Sequence, residues 1–90
     1  MISFSKAETS KDNGQPLSAI TVYRGDDEIG VIEAQYDRRS ELDASWVCLG
    51  YAFSSFVDDV NDRNTERGED DNSSQSALAR IKREIKAEAK

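Results

Sequence analysis

Apolar positions recur at a period of two in the first third of the chain and at a helical period after it. Residues 2–7 alternate, with Ile2 and Phe4 on one side and Ser3 and Ser5 on the other, which predicts a short strand. Residues 9–16 (TSKDNGQP) carry only turn chemistry: Asn13-Gly14 suits a tight reversal and Pro16 cannot donate to a ladder. Residues 17–24 (LSAITVYR) are rich in β-branched and aromatic types, with Ile20 and Val22 on one face and Ala19, Thr21 and Tyr23 on the other. Gly25-Asp26-Asp27 supplies a hairpin turn, and residues 28–36 (EIGVIEAQY) read as the return strand. Its apolar phase shifts: Ile29 and Val31 share one face, while Ile32, Ala34 and Tyr36 share the other. Either both faces are partly covered or a bulge near Gly30 resets the pleat.

The longest pattern follows. Leu42, Trp46, Leu49, Phe53, Phe56 and Val60 are spaced alternately by four and three, which predicts one amphipathic helix over 41–62. Ser40 is its N-cap, with Glu41 and Asp43 in the first turn where the helix dipole favours acids. A strand over 45–53 competes, because that window is almost wholly apolar, but it forfeits the periodicity and ranks second. On the helical wheel Trp46 and Phe53 face the core, while Val47 and Tyr51 share the outer face with Ser54 and Asp58. Residues 64–74 (NTERGEDDNSS) hold no aliphatic or aromatic side chain and read as a loop, expected to be mobile. A second helical stripe at Leu78, Ile81 and Ile85 predicts a helix over 76–89. Strands followed by helices define an α+β class: a three-stranded antiparallel sheet (2–7, 17–24, 28–36) packed on the long helix, plus a C-terminal helix, in one 90-residue domain.

Charge changes this picture. The chain has 18 acids, 12 bases and a net charge of −6. Residues 26–71 hold fourteen acids and four bases, whereas residues 72–90 hold two acids and five bases. The acidic body argues against a free nucleic-acid binder, because phosphate would be repelled. The basic arc of the last helix (Arg80, Lys82, Arg83, Lys86, Lys90) reads as a solvated face. No apolar run reaches membrane-spanning length, no secretory signal opens the chain, and Cys48 is alone; a cytosolic location is expected.

Catalytic chemistry finds no footing. There is no histidine, so the commonest general base and metal ligand is missing, and the glycines are scattered singly, with no phosphate loop. The calcium-loop template begun at Asp59 meets Arg63 at its fifth position and Asn64 where a glycine belongs, so no metal and no cofactor are expected. The acids read instead as display surfaces. Asp26, Asp27 and Glu28 would sit at a hairpin tip, and Asp58, Asp59 and Asp62 at the end of the long helix. Val47 and Tyr51 would add an apolar contact on that helix. These eight residues are the candidate partner-binding set.

In size, acidity, open α+β reading and lack of motif, the whole chain resembles small phage- or prophage-encoded inhibitors of host defence, such as anti-CRISPR and anti-restriction proteins. The resemblance implies a non-enzymatic protein that presents carboxylates to a basic, nucleic-acid-binding surface of another protein. An adaptor or oligomerisation module using the aromatic helix, including a homodimer, is the alternative. Should neither surface serve, the solvent face of the sheet around Thr21, Tyr23 and Ile29 is the remaining site.

Overall fold

The structure is a computed structural model and describes residues 1–38, 46–67 and 75–89. Its strands are β1 (Ile2–Phe4), β2 (Glu8–Asp12), β3 (Gln15–Arg24), β4 (Asp27–Arg38), β5 (Trp46–Ser55) and β6 (Arg63–Glu66), followed by one helix, α1 (Gln75–Glu88). They form a single antiparallel sheet in the order β1-β3-β4-β5-β6, with β2 also paired to β3. β1 lies against residues 22–24 of β3 and β2 against residues 15–19, so the two act as one interrupted edge. Short connections decide this topology, since antiparallel neighbours need only tight turns. Asn13 and Gly14 both take positive φ (52° and 85°), the two-residue turn whose twist matches the strands it joins. Gly25 (φ 64°) opens the next turn.

The expected three-stranded sheet on a long helix is therefore overturned. No helix spans 41–62: residues 46–55 form β5, which pairs with β4 from Gly30↔Ser55 to Arg38↔Trp46. The strand reading that ranked second is the correct one over these residues. A bulge explains the misleading spacing. Gln35 pairs with Gly50 but Tyr36 with Cys48, so Leu49 is an extra residue in β5. The inward positions become Trp46 and Cys48, then Tyr51 and Phe53: the extra residue sets Trp46 and Phe53, seven residues or about two helical turns apart, on one face and so imitates a helical period. Leu49 and Phe56, core positions in the helical reading, are 49% and 59% exposed. Trp46 is half-buried at the strand's end, beneath the Arg38 guanidinium at 5.4 Å. Ser40, Glu41, Leu42 and Asp43 lie outside the described residues.

The turn chemistry read over 9–16 is largely strand, and the loop read over 64–74 begins inside β6; residues 68–74 lie outside the described part. In β4 the phase shift resolves as a bulge. Val22 pairs with Gly30 and Tyr23 with Glu28, leaving Ile29 extra and turned into the core at 1% exposure.

One face of the sheet carries the core. Ile20, Val22, Ile29, Ile32, Tyr51 and Phe53 meet Ala77, Ile81, Ile85 and Ala89, which recur every fourth residue along the helix line, and Val60 closes the cluster from the β5–β6 loop. Gly30 and Gly50 permit this packing: a Cβ on Gly30 would stand 2.4 Å from the Phe53 ring, and one on Gly50 would stand 2.3 Å from the Thr65 carbonyl oxygen. Arg63, on the helix side of β6, pairs with Glu88 and lies 3.8 Å from Glu84. Glu88 also accepts from the Asn61 backbone N–H, so the last turn of the helix is tied to the β5–β6 loop. Among the described residues no helix is long and apolar enough to cross a membrane.

Candidate functional site

Antiparallel order brings the β3–β4 turn and the β5–β6 loop to the same end of the sheet, since Gly30 pairs with both Val22 and Ser55. Asp26, Asp27, Glu28, Asp58, Asp59 and Asp62, read from sequence as two separate clusters, are thereby assembled at one end, and all are exposed. An ion pair links the two segments: Arg24 Nη1 donates to Asp59 Oδ2 at 2.8 Å. That hydrogen bond holds the Asp59 carboxyl below its ordinary value and raises the Arg24 guanidinium. Asp62 is occupied structurally, accepting from the Ser55 backbone N–H at 2.7 Å. Asp26, Asp27, Glu28 and Asp58 take part in no salt bridge among the described residues. The end therefore presents four exposed carboxylates outside any salt bridge, of which Asp27 still feels the nearby Arg24 charge, beside two that hold the fold. The setting differs from the one expected: Asp58, Asp59 and Asp62 border an irregular loop, not a helix terminus.

The apolar part of the predicted set is divided. Tyr51 is 9% exposed and belongs to the core, so it is no surface anchor. Its position follows from register, since it pairs with Ala34 on the helix side of the sheet. Val47 pairs with Asp37 on the opposite side and borders a shallow depression of about 450 Å³ with Asp37, Arg38, Leu49 and Arg67. The basic arc of the helix is mostly engaged. Lys82 and Lys86 lie 5.2 and 5.6 Å from the Phe4 ring, and Arg80 donates to the Glu66 carbonyl at 2.8 Å. Among the described residues no three histidines, cysteines or carboxylates come together in a group able to hold a metal ion.

A surface that the candidate set omitted lies on the sheet face away from the helix. Register places Glu8, Ala19, Glu33, Ala52 and Asn64 in one row across five strands. Thr21, Val31 and Ser54 form the next row, Gln35 pairs with Gly50 and Gly50 with Glu66, and Tyr23 pairs with Glu28. Small or β-branched residues form its floor, half-buried at Ala19, Thr21, Val31 and Ala52. Glu8, Glu28, Glu33, Asp37 and Glu66 are exposed acids on this face, and its paired strand positions carry no lysine or arginine. Thr21 and Tyr23 belong to it, but Ile29, grouped with them from sequence, is in the core. Alternation in β3 and β4 carried the signal: Glu33 falls between Ile32 and Ala34, but the row joining it to Glu8 exists only through pairing.

No protein family, no curated protein and no solved structure matches the chain.

Proposed function

We propose that this is a non-enzymatic acidic binding protein of the cytosol that occupies a basic, nucleic-acid-binding surface of a partner protein, as small phage-encoded inhibitors of host defence do. The observation that carries the reading is the gathering of Asp26, Asp27, Glu28 and Asp58, from segments thirty residues apart, at one end of the sheet with no cation paired to them among the described residues. Carboxylates fixed on a rigid sheet present a lasting negative field that steers association with a positive cleft and competes there with phosphate. The alternative adaptor reading loses its basis, because the aromatic helix it required is a strand whose Tyr51 and Phe53 are buried.

The test is affinity capture from a host-cell lysate treated with nuclease, followed by competition. The expected result is capture of a nucleic-acid-binding protein that high salt releases and that added cognate nucleic acid displaces. A captured partner indifferent to both salt and nucleic acid overturns the proposal.

A further inference from the structure

We infer that the sheet face opposite the helix is a docking surface for a basic segment of another protein that presents two cationic side chains about 10 Å apart. The inference rests on the reading of a basic partner and names where that partner sits. The row Glu8–Ala19–Glu33–Ala52–Asn64 runs across the strands. Neighbouring strands lie about 4.8 Å apart, so Glu8 and Glu33 rise on either side of Ala19 with about 10 Å between their strands. Glu8, Ser10, Leu17, Ala19 and Glu33 border a shallow depression of about 340 Å³, with Leu17 43% exposed beside it. A methyl-bearing floor between two carboxylates suits the aliphatic stems and charged heads of arginine or lysine.

Charge selects the occupant. Glu28 extends the same sign along the face and makes it continuous with the acidic end. A second copy placed face to face would set acid against acid in a chain of net charge −6. Around Glu8, Glu28 and Glu33 the face carries a single sign over a partly apolar floor, while the cations Arg38 and Arg67 border the separate depression beside Asp37 and Val47.

The experiment uses the full chain, labelled with nitrogen-15, and two alanine-based helical peptides of equal composition. One bears two arginines seven residues apart, about 10.5 Å along the helix, and the other bears them four apart, about 6 Å. Amide shifts and affinities are read at low salt for the wild type, for Glu8→Lys/Glu33→Lys and for Asp26→Lys/Asp27→Lys. The two variants change net charge equally, all four positions are exposed, and melting curves establish folding. The wild type is expected to bind the wide-spaced peptide more tightly, with shifts centred on Glu8, Ala19, Glu33 and Ala52. Glu8→Lys/Glu33→Lys should weaken binding at least about tenfold. Asp26→Lys/Asp27→Lys, which weakens the steering field of the acidic end, should cost less and lose its effect as salt rises. An equal loss from the two variants overturns the face. Shifts confined to residues 25–28 and 58–62 overturn the face while leaving the proposed function standing. Equal binding of both peptides overturns the spacing. Face shifts that grow with protein concentration alone replace the basic segment by a second copy. No binding to either peptide overturns the docking surface, and the proposed function then stands or falls on the lysate capture.

Discussion

Phe53 and Leu49 stand four residues apart on one strand and have opposite fates: Phe53 is 2% exposed and Leu49 49%. Phe53→Ala is expected to cost about 3–5 kcal/mol, enough to unfold most molecules of so small a domain, whereas Leu49→Ala should cost less than about 1 kcal/mol. Chemical denaturation of the two variants decides between a strand and a helical stripe, on which both would be core. Thr65 gives a second test. Its hydroxyl is buried with no hydrogen-bond partner among the described residues, so Thr65→Val should raise stability, by up to about 1 kcal/mol. A lower melting temperature for this variant would mean that the hydroxyl has found a partner. Asp59 gives a pH test. The hydrogen bond from Arg24 lowers its folded-state pKa below 3.8, so its stabilisation is complete above that value and disappears as pH falls through the lowered one. Asp59→Asn should therefore melt slightly below wild type at neutral pH, and melting scans should show the gap closing in strong acid.

Between elements, the decisive contact is the one that fastens α1 to the sheet. Arg63 and Glu88 are about a quarter exposed each, and the Arg63 Nε is buried with no hydrogen-bond partner among the described residues. A double-mutant cycle with Arg63→Met and Glu88→Gln should show a coupling of about 1–2 kcal/mol, between the values for exposed pairs and for buried charged hydrogen bonds. A coupling near zero would leave the helix held by its apolar row alone. Legibility at this scale was uneven for physical reasons. The turn at Gly25 is legible because positive φ demands glycine, and the α1 stripe because Leu78, Ile81 and Ile85 recur at helical spacing, although the fully buried row starts at Ala77 and leaves Leu78 half-buried. β5 misled because a bulge residue offsets the alternation on either side of it. β2 was hidden because all five of its residues are exposed, leaving no apolar alternation to read.

At the scale of the whole molecule, charge governs what can approach. With a net charge of −6, the protein should give no mobility shift with duplex DNA or RNA at moderate salt; micromolar binding there would bring the basic helix forward and displace the reading of an acidic inhibitor. Composition alone determined the charge, because net charge and the absence of histidine do not depend on folding. Sequence also determined the local devices: positive-φ turns, the apolar row of α1, and the faces of β3. Tertiary structure decided the rest. Pairing with β4 turned an apolar segment with a helical period into a strand and buried Tyr51. Antiparallel order brought Asp26 and Asp58 to one end, and cross-strand register set Glu8 and Glu33 on either side of Ala19. Such neighbours are fixed by hydrogen bonds between residues up to about thirty positions apart, and a local pattern carries no trace of a partner strand's register.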